Sequence, residues 1–205
     1  MVTTRIFISL SFVVWLFATV GGMTVLWNHE LRPGVAAEAP PRWPVDSTLE
    51  RGESHSTMLV WIHPHCPCSW ASIGELQRLL VHLPEPVDCQ VVLSRPPQCD
   101  QEFVETDLTR AVRQIPDVRV VVDHEQQEAT RFGVSTSGQV LLYGRDAELL
   151  FAGGITPGRG HAGDSVGGAT LREIFRTDRS VTDSQECCVF GCELFSSAVS
   201  SSPSP

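Results

Sequence analysis

The stretch from Thr57 to Leu83, TMLVWIHPHCPCSWASIGELQRLLVHL, constrains the fold more than any other part of the chain. It opens with a continuous apolar run, Met58 to Ile62, breaks at His63-Pro64, presents Cys66-Pro67-Cys68 and passes straight into a helical pattern. Trp70, Ile73, Leu76, Leu80 and Leu83 recur at intervals of three and four, which predicts one apolar helix face. A strand that hands over to a helix through two cysteines places a thiol at a helix N-terminus. Free N–H groups and the macrodipole there favour negative charge, so a thiol pKa is expected to fall. Cys68, nearer the helix start, is the candidate attacking thiolate, and Cys66 the resolving thiol.

The rest of the chain supplies an alternating order. Val87 to Ser94 reads as a second strand and Phe103 to Ile115 as an amphipathic helix. Val118 to Val122 is a β-branched run expected to be buried on both faces. Asp123 is placed to cap a helix that stops at Gly133. Gln139 to Tyr143 and Glu148 to Phe151 read as a hairpin joined at Gly144–Ala147, and Ala169 to Arg179 as a last helix. The order β-α-β-α-β-α-β-β-α predicts an α/β domain, a mixed sheet with helices on both faces.

Outside that domain the composition changes. Ile6 to Trp27 is 22 residues without a charge, long enough to cross about 30 Å of hydrocarbon. Ala18-Thr19-Val20 is a poor cleavage site, so an uncleaved transmembrane anchor is expected rather than a signal peptide. Arg5, on the short 1–5 segment, favours a cytoplasmic N-terminus and sends the domain outward, across the cell membrane into an oxidising, periplasm-like compartment where disulfides persist. Residues 28–56 carry Pro33, Pro40, Pro41 and Pro44 and read as a linker, residues 57–180 as the domain, and residues 181–205 as a cysteine-containing tail with a Ser/Pro-rich end.

Charge and cysteine count narrow the chemistry. The net charge of −9 argues against nucleic acid as a partner. All 15 basic residues are arginine, which removes phosphate-loop and Schiff-base lysine chemistry. Seven cysteines are an odd number, so at least one thiol is free, metal-bound or paired with another molecule.

On these features the chain from about Thr57 to Arg179 resembles the thioredoxin-like superfamily. The residues carrying the likeness are the strand Met58–Ile62, Cys66 and Cys68 at a helix start, the VVVD strand ending at Asp123, Ala129–Val134 and the closing hairpin. His63–Cys68, Phe132–Gly138, Gly153–Thr156 and Arg159-Gly160-His161 further resemble membrane-anchored bacterial proteins sometimes labelled RedB. The resemblance implies thiol–disulfide exchange with exported thiol or disulfide proteins, or reduction of small oxidants. The chain departs from the thioredoxin pattern twice. One residue separates the cysteines instead of two, and no proline stands near Thr136-Ser137, where thioredoxins place a cis-proline.

Other residues widen the choice. His63, His65, Cys66 and Cys68 crowd four donors into six residues, and His161 joins them if the Gly-rich loop folds over the cysteines. Thiolate with imidazole suits copper or zinc, so the alternative to a cofactor-free redox protein is a copper- or zinc-binding module; a third reading is a catalytically silent scaffold. Without a metal, the two histidines would add positive charge, which would itself lower a thiol pKa. Gly158–Gly163 matches G-x-G-x-x-G formally but follows the last strand, so it is expected to line the cysteine pocket rather than bind a dinucleotide. Cys89, Cys99, Cys187, Cys188 and Cys192 are candidates for structural disulfides, and a tail cysteine is also a candidate to resolve a mixed disulfide with Cys68; their pairing stays open.

Overall fold

The computed structural model describes residues 2–177 and 187–195; the Ser/Pro-rich end and the stretch before Cys187, including Asp178 and Arg179 of the expected last helix, lie outside them. The chain divides after Arg32 into two units. In the first, α1 runs from Val2 to Glu30, and Ile6–Glu30 is long and apolar enough to cross a membrane. That fits a membrane anchor or a signal sequence.

The second unit is built on a five-stranded mixed sheet. Its elements are β1 (Thr57–Ile62), α2 (Ser69–His82), β2 (Asp88–Arg95), α3 (Asp107–Val112), β3 (Val118–His124), α4 (Gln127–Arg131), β4 (Gln139–Tyr143), β5 (Leu149–Gly154) and α5 (Val166–Thr177). The order across the sheet is β3-β2-β1-β4-β5. β1 and β2, and β2 and β3, pair in parallel, while β4 runs antiparallel to both β1 and β5. β1 is thus the central strand and is wholly buried, which explains its unbroken apolar run: a strand covered on both faces does not alternate. Its side chains still divide by parity. Met58, Val60 and Ile62 join the core formed with α2, α3 and α5; Leu59 and Trp61 join a second core with Phe132, Val134, Leu141 and Tyr143.

Several expectations change in detail. β3 is an edge strand, so Val120, Val121 and Val122 are half-buried rather than covered on both faces. The helix expected over Phe103–Ile115 is broken. A 3-10 turn over Gln101–Val104 is capped by Asp100, and Thr106 then caps α3 by accepting the Thr109 N–H. Two capping side chains in one apolar-periodic stretch compete with a continuous helix. The buried face of α2 is Ser69, Ser72, Ile73, Leu76 and Leu79, while Trp70 is exposed and Leu80 half-buried. Asp123 caps as expected, accepting the Glu128 and Ala129 N–H groups at 2.9 and 2.8 Å.

Residues 33–56 are packed on this unit. The Glu38 N–H donates to the Gly133 carbonyl and the Ala37 N–H to Gln139 Oε1, and the Tyr143 hydroxyl donates to the Pro40 carbonyl. Trp43 sets its ring edge-on to Phe132 and Tyr143 at 5.2 and 5.3 Å. Four prolines deny this segment a repeating hydrogen-bond pattern, so it reads as a linker although its contacts are those of a strap.

Candidate functional site: three sulfurs at one end of the sheet

β1 ends at Ile62 and the chain turns through His63–Pro67 into α2. The turn is closed by backbone bonds from Cys66 N–H to the His63 carbonyl, Ser69 N–H to the Cys66 carbonyl and Ala71 N–H to the Cys68 carbonyl. Cys68 occupies the N-cap position of α2. Pro67 is exposed and Cys66 buried.

Cys66 is joined to Cys192 by a disulfide, with the two Cα atoms 6.1 Å apart across 126 residues of sequence. Cys68 remains a thiol beside it. The sulfurs of Cys66, Cys68 and Cys192 lie within 4.8 Å of one another, close enough to share one ion. Cys192 is brought there by the segment 187–195, which lies along residues 135–138. The Ser137 N–H donates to the Cys192 carbonyl and the Leu194 N–H to the Ser135 carbonyl, both at 2.8 Å, and Thr136 pairs antiparallel with Glu193. A Cβ on Gly191 would overlap the Ser137 carbonyl oxygen, so only glycine lets the two backbones meet there. Val189 and Leu194 are buried.

Thr136-Ser137 is the segment opposite the cysteines. Ser137 Oγ accepts the His63 N–H at 2.9 Å and lies 3.0 Å from Ser69 Oγ. The Gly138 N–H donates to the Trp61 carbonyl at 2.7 Å. Two hydroxyls and backbone bonds hold the loop where the thioredoxin pattern places proline.

The histidines take other partners. His63 Nδ1 accepts the His65 N–H at 3.2 Å, and burial, with the charge of His65 second, holds the His63 imidazole below its ordinary range. The neutral form is thus favoured, and His63 supplies no fixed positive charge to the thiols. His65 lies on the Phe103 ring at 4.5 Å, with Nε2 2.8 Å from the Phe103 carbonyl oxygen. His161 is exposed on the Gly-rich loop. That loop does face the cysteines: Gly160, at φ 69°, lies against Cys68, where an added Cβ would sit 4.0 Å from its Sγ. Arg159 Nη1 donates to the Gly191 carbonyl, tying the loop to the segment that carries Cys192.

The remaining cysteines stand apart as thiols. Cys89, in β2, is buried and its pKa is pushed up to about 12. Burial also raises Cys187, which lies 4.0 Å from the Thr170 hydroxyl; that contact opposes the rise and the neighbouring Cys188 adds to it. Cys188 is exposed and Cys99 half-buried.

Sequence reasoning singled out Cys66 and Cys68 but left Cys192 among five cysteines of open pairing. Ser69 and Gly191 went unnoticed, and Ser137 was named only as part of the segment that lacks the thioredoxin proline. A signal was present: Val189-Phe190-Gly191-Cys192-Glu193-Leu194-Phe195 is apolar with a glycine beside its cysteine, quite unlike the Ser/Pro-rich end that follows.

No described protein family and no curated protein matches the chain. Among solved structures it is similar to an uncharacterized conserved protein from Geobacillus kaustophilus, with 19% identity, 80% of this chain and 92% of that one covered, and a TM-score of 0.56. It is similar to the same degree to a hypothetical protein from Sinorhizobium meliloti 1021, with 19% identity, coverage of 80% and 93%, and a TM-score of 0.54. A more distant neighbour is the pneumococcal exposed lipoprotein thioredoxin from Streptococcus pneumoniae, with 13% identity, coverage of 60% and 85%, and a TM-score of 0.42. The fold is thioredoxin-like, and the Cys66–Cys68–Cys192 cluster fits a redox or metal-handling role.

Proposed function

We propose that the protein is a membrane-anchored thiol–disulfide oxidoreductase whose domain works outside the cytoplasm, in the manner implied by its likeness to the RedB-labelled bacterial proteins. The observation that carries this reading is the free Cys68 thiol held beside the Cys66–Cys192 disulfide, all three sulfurs within 4.8 Å. A thiolate next to a disulfide is the arrangement from which exchange proceeds.

In the reduced protein, Cys68 attacks a disulfide of an exported partner. One partner sulfur leaves as thiolate and the other is held in a mixed disulfide with Cys68. Cys66 attacks Cys68 Sγ and the second partner thiolate leaves. Cys66 and Cys68 are then joined across a single residue, a ring in which disulfide geometry is hard to satisfy. Cys192 relieves it by attacking Cys66 Sγ, which frees Cys68 and leaves the Cys66–Cys192 bond. Two electrons and two protons pass from protein thiols to the partner disulfide, and an external dithiol restores the starting state.

The test is turnover of a disulfide-bonded test protein, with a dithiol as reductant and the redox state of each cysteine mapped by differential alkylation. Cys68→Ser is expected to lose at least about 100-fold in rate, within the range a lost nucleophile costs, while its Cys66–Cys192 bond stays intact. Unchanged turnover in Cys68→Ser would overturn the assignment.

A further inference from the structure

We propose that reduction of the Cys66–Cys192 bond creates a binding site for one monovalent copper ion, ligated by Cys66, Cys68 and Cys192 alone. The donor set differs from the imidazole–thiolate set read from the sequence. Three thiolates around one ion at about 2.3 Å each stand about 4 Å apart, and the three sulfurs already lie within 4.8 Å of one another. Little rearrangement separates the cluster from a trigonal site.

Ligand softness selects the ion. Thiolates favour copper(I), zinc and iron–sulfur clusters. Zinc in a closed site takes four ligands, and iron–sulfur clusters take four cysteines. This cluster supplies three sulfurs, the number copper(I) accepts. His63 and His65, the nearest nitrogen donors in sequence, are turned elsewhere: Nδ1 of His63 takes the His65 N–H, and His65 packs on Phe103.

The site is held ready without the covalent bond. Cys68 is fixed at the start of α2, Cys66 by the turn that precedes it. Cys192 is placed by the bonds from Ser137 N–H to its own carbonyl and from Leu194 N–H to the Ser135 carbonyl, and by the Arg159 contact to Gly191. None of these uses a sulfur, so opening the bridge leaves Cys192 in place.

The balance is simple. A dithiol reductant gives two electrons and two protons to the bridge, becomes a disulfide itself and leaves Cys66 and Cys192 as thiols. Copper(I) then displaces three protons from the three thiols with no change of oxidation state. Bridge and ion compete for the same two sulfurs, so re-oxidation by a partner disulfide ejects the ion. The proposal rests on the exchange reading only in that the bridge opens to a dithiol.

The experiment uses the full chain in detergent, reduced and then freed of reductant without air, titrated with copper(I) against a coloured chelator. Expected is one copper per chain in the reduced protein and none in the disulfide form, with three sulfur neighbours by X-ray absorption. Cys68→Ser, which keeps the bridge, and Cys192→Ser should each weaken retention by on the order of 100-fold. His63→Ala and His65→Ala should leave it within about twofold. Equal copper retention in the disulfide form, a nitrogen neighbour in the absorption spectrum, or undiminished affinity in both cysteine variants would overturn the site. A chain that turns over disulfides yet holds no copper sinks this site alone; one that holds copper without turnover sinks the exchange reading alone.

Discussion

Two segments strap the thioredoxin-like domain, and they differ in what fastens them. Residues 33–56 are held by backbone bonds to the 133–139 region and by the Trp43 ring against Phe132 and Tyr143. Residues 187–195 are held by backbone bonds to Ser135 and Ser137, by buried Val189 and Leu194, and by the covalent bond from Cys192 to Cys66. The straps meet where the Gly34 N–H donates to the Val189 carbonyl, and both touch Thr136, whose hydroxyl donates to the Val35 carbonyl and whose backbone pairs with Glu193. One strap is permanent packing; the other carries a bond that chemistry can open. Stability should therefore respond to reductant through the second strap only.

The largest effect comes from that bond. A bridge closing a loop of more than 100 residues limits the unfolded chain by about 5 kcal/mol. Denaturant unfolding of the oxidised protein should lose about that much on reduction, and Cys192→Ser should match the reduced wild type with or without reductant. A Cys192→Ser protein as stable as the oxidised wild type would erase the distinction between the straps.

Trp43→Ala is next. Trp43 is half-buried between two aromatic rings, so its truncation should cost about 3 kcal/mol, at the low end for a tryptophan. The loss should be the same in oxidised and reduced protein, and turnover should not change. A cost that depends on reductant would mean that the straps act as one unit through Gly34 and Thr136. The same comparison sets the boundary of a soluble fragment: one beginning at Pro33 keeps the strap, one beginning at Ser47 discards Trp43.

Much of this was legible because the informative patterns are local. The strand character of β1, the hairpin of β4 and β5, and the handover from β1 to Cys68 are each encoded within a few residues. The straps were not, because their order comes from contacts remote in sequence, as far as 126 residues away. Pro40 meets Tyr143, Ala37 meets Gln139, and Cys192 meets Cys66 and Ser137. Extended segments with no internal hydrogen-bond repeat leave no period to read. β3 misled for a related reason: a run of valines reports strand propensity, whereas its place at the sheet edge follows from topology. The metal-ligand reading joined His63, His65 and His161 to Cys66 and Cys68; the third sulfur beside those two is Cys192, remote in sequence.

The smallest effect discriminates most finely. Cys187 lies on the second strap, buried and with its pKa raised mainly by burial, while Cys89 lies in β2 with its pKa pushed up to about 12. If backbone bonds rather than the disulfide seat the strap, reduction should expose Cys66 and Cys192 to alkylation but leave Cys187 as protected as Cys89. Exposed Cys188 should label in either state. Raising the pH to about 9 should not recruit Cys89, since a thiol reacts as its thiolate and this one stays protonated well above that pH. Mass-spectrometric mapping after brief alkylation reads all of these at once. Cys187 labelling as fast as Cys192 on reduction would show that the strap leaves with its bond. A redox signal would then be a conformational one, and the three sulfurs would part whenever the bridge opened.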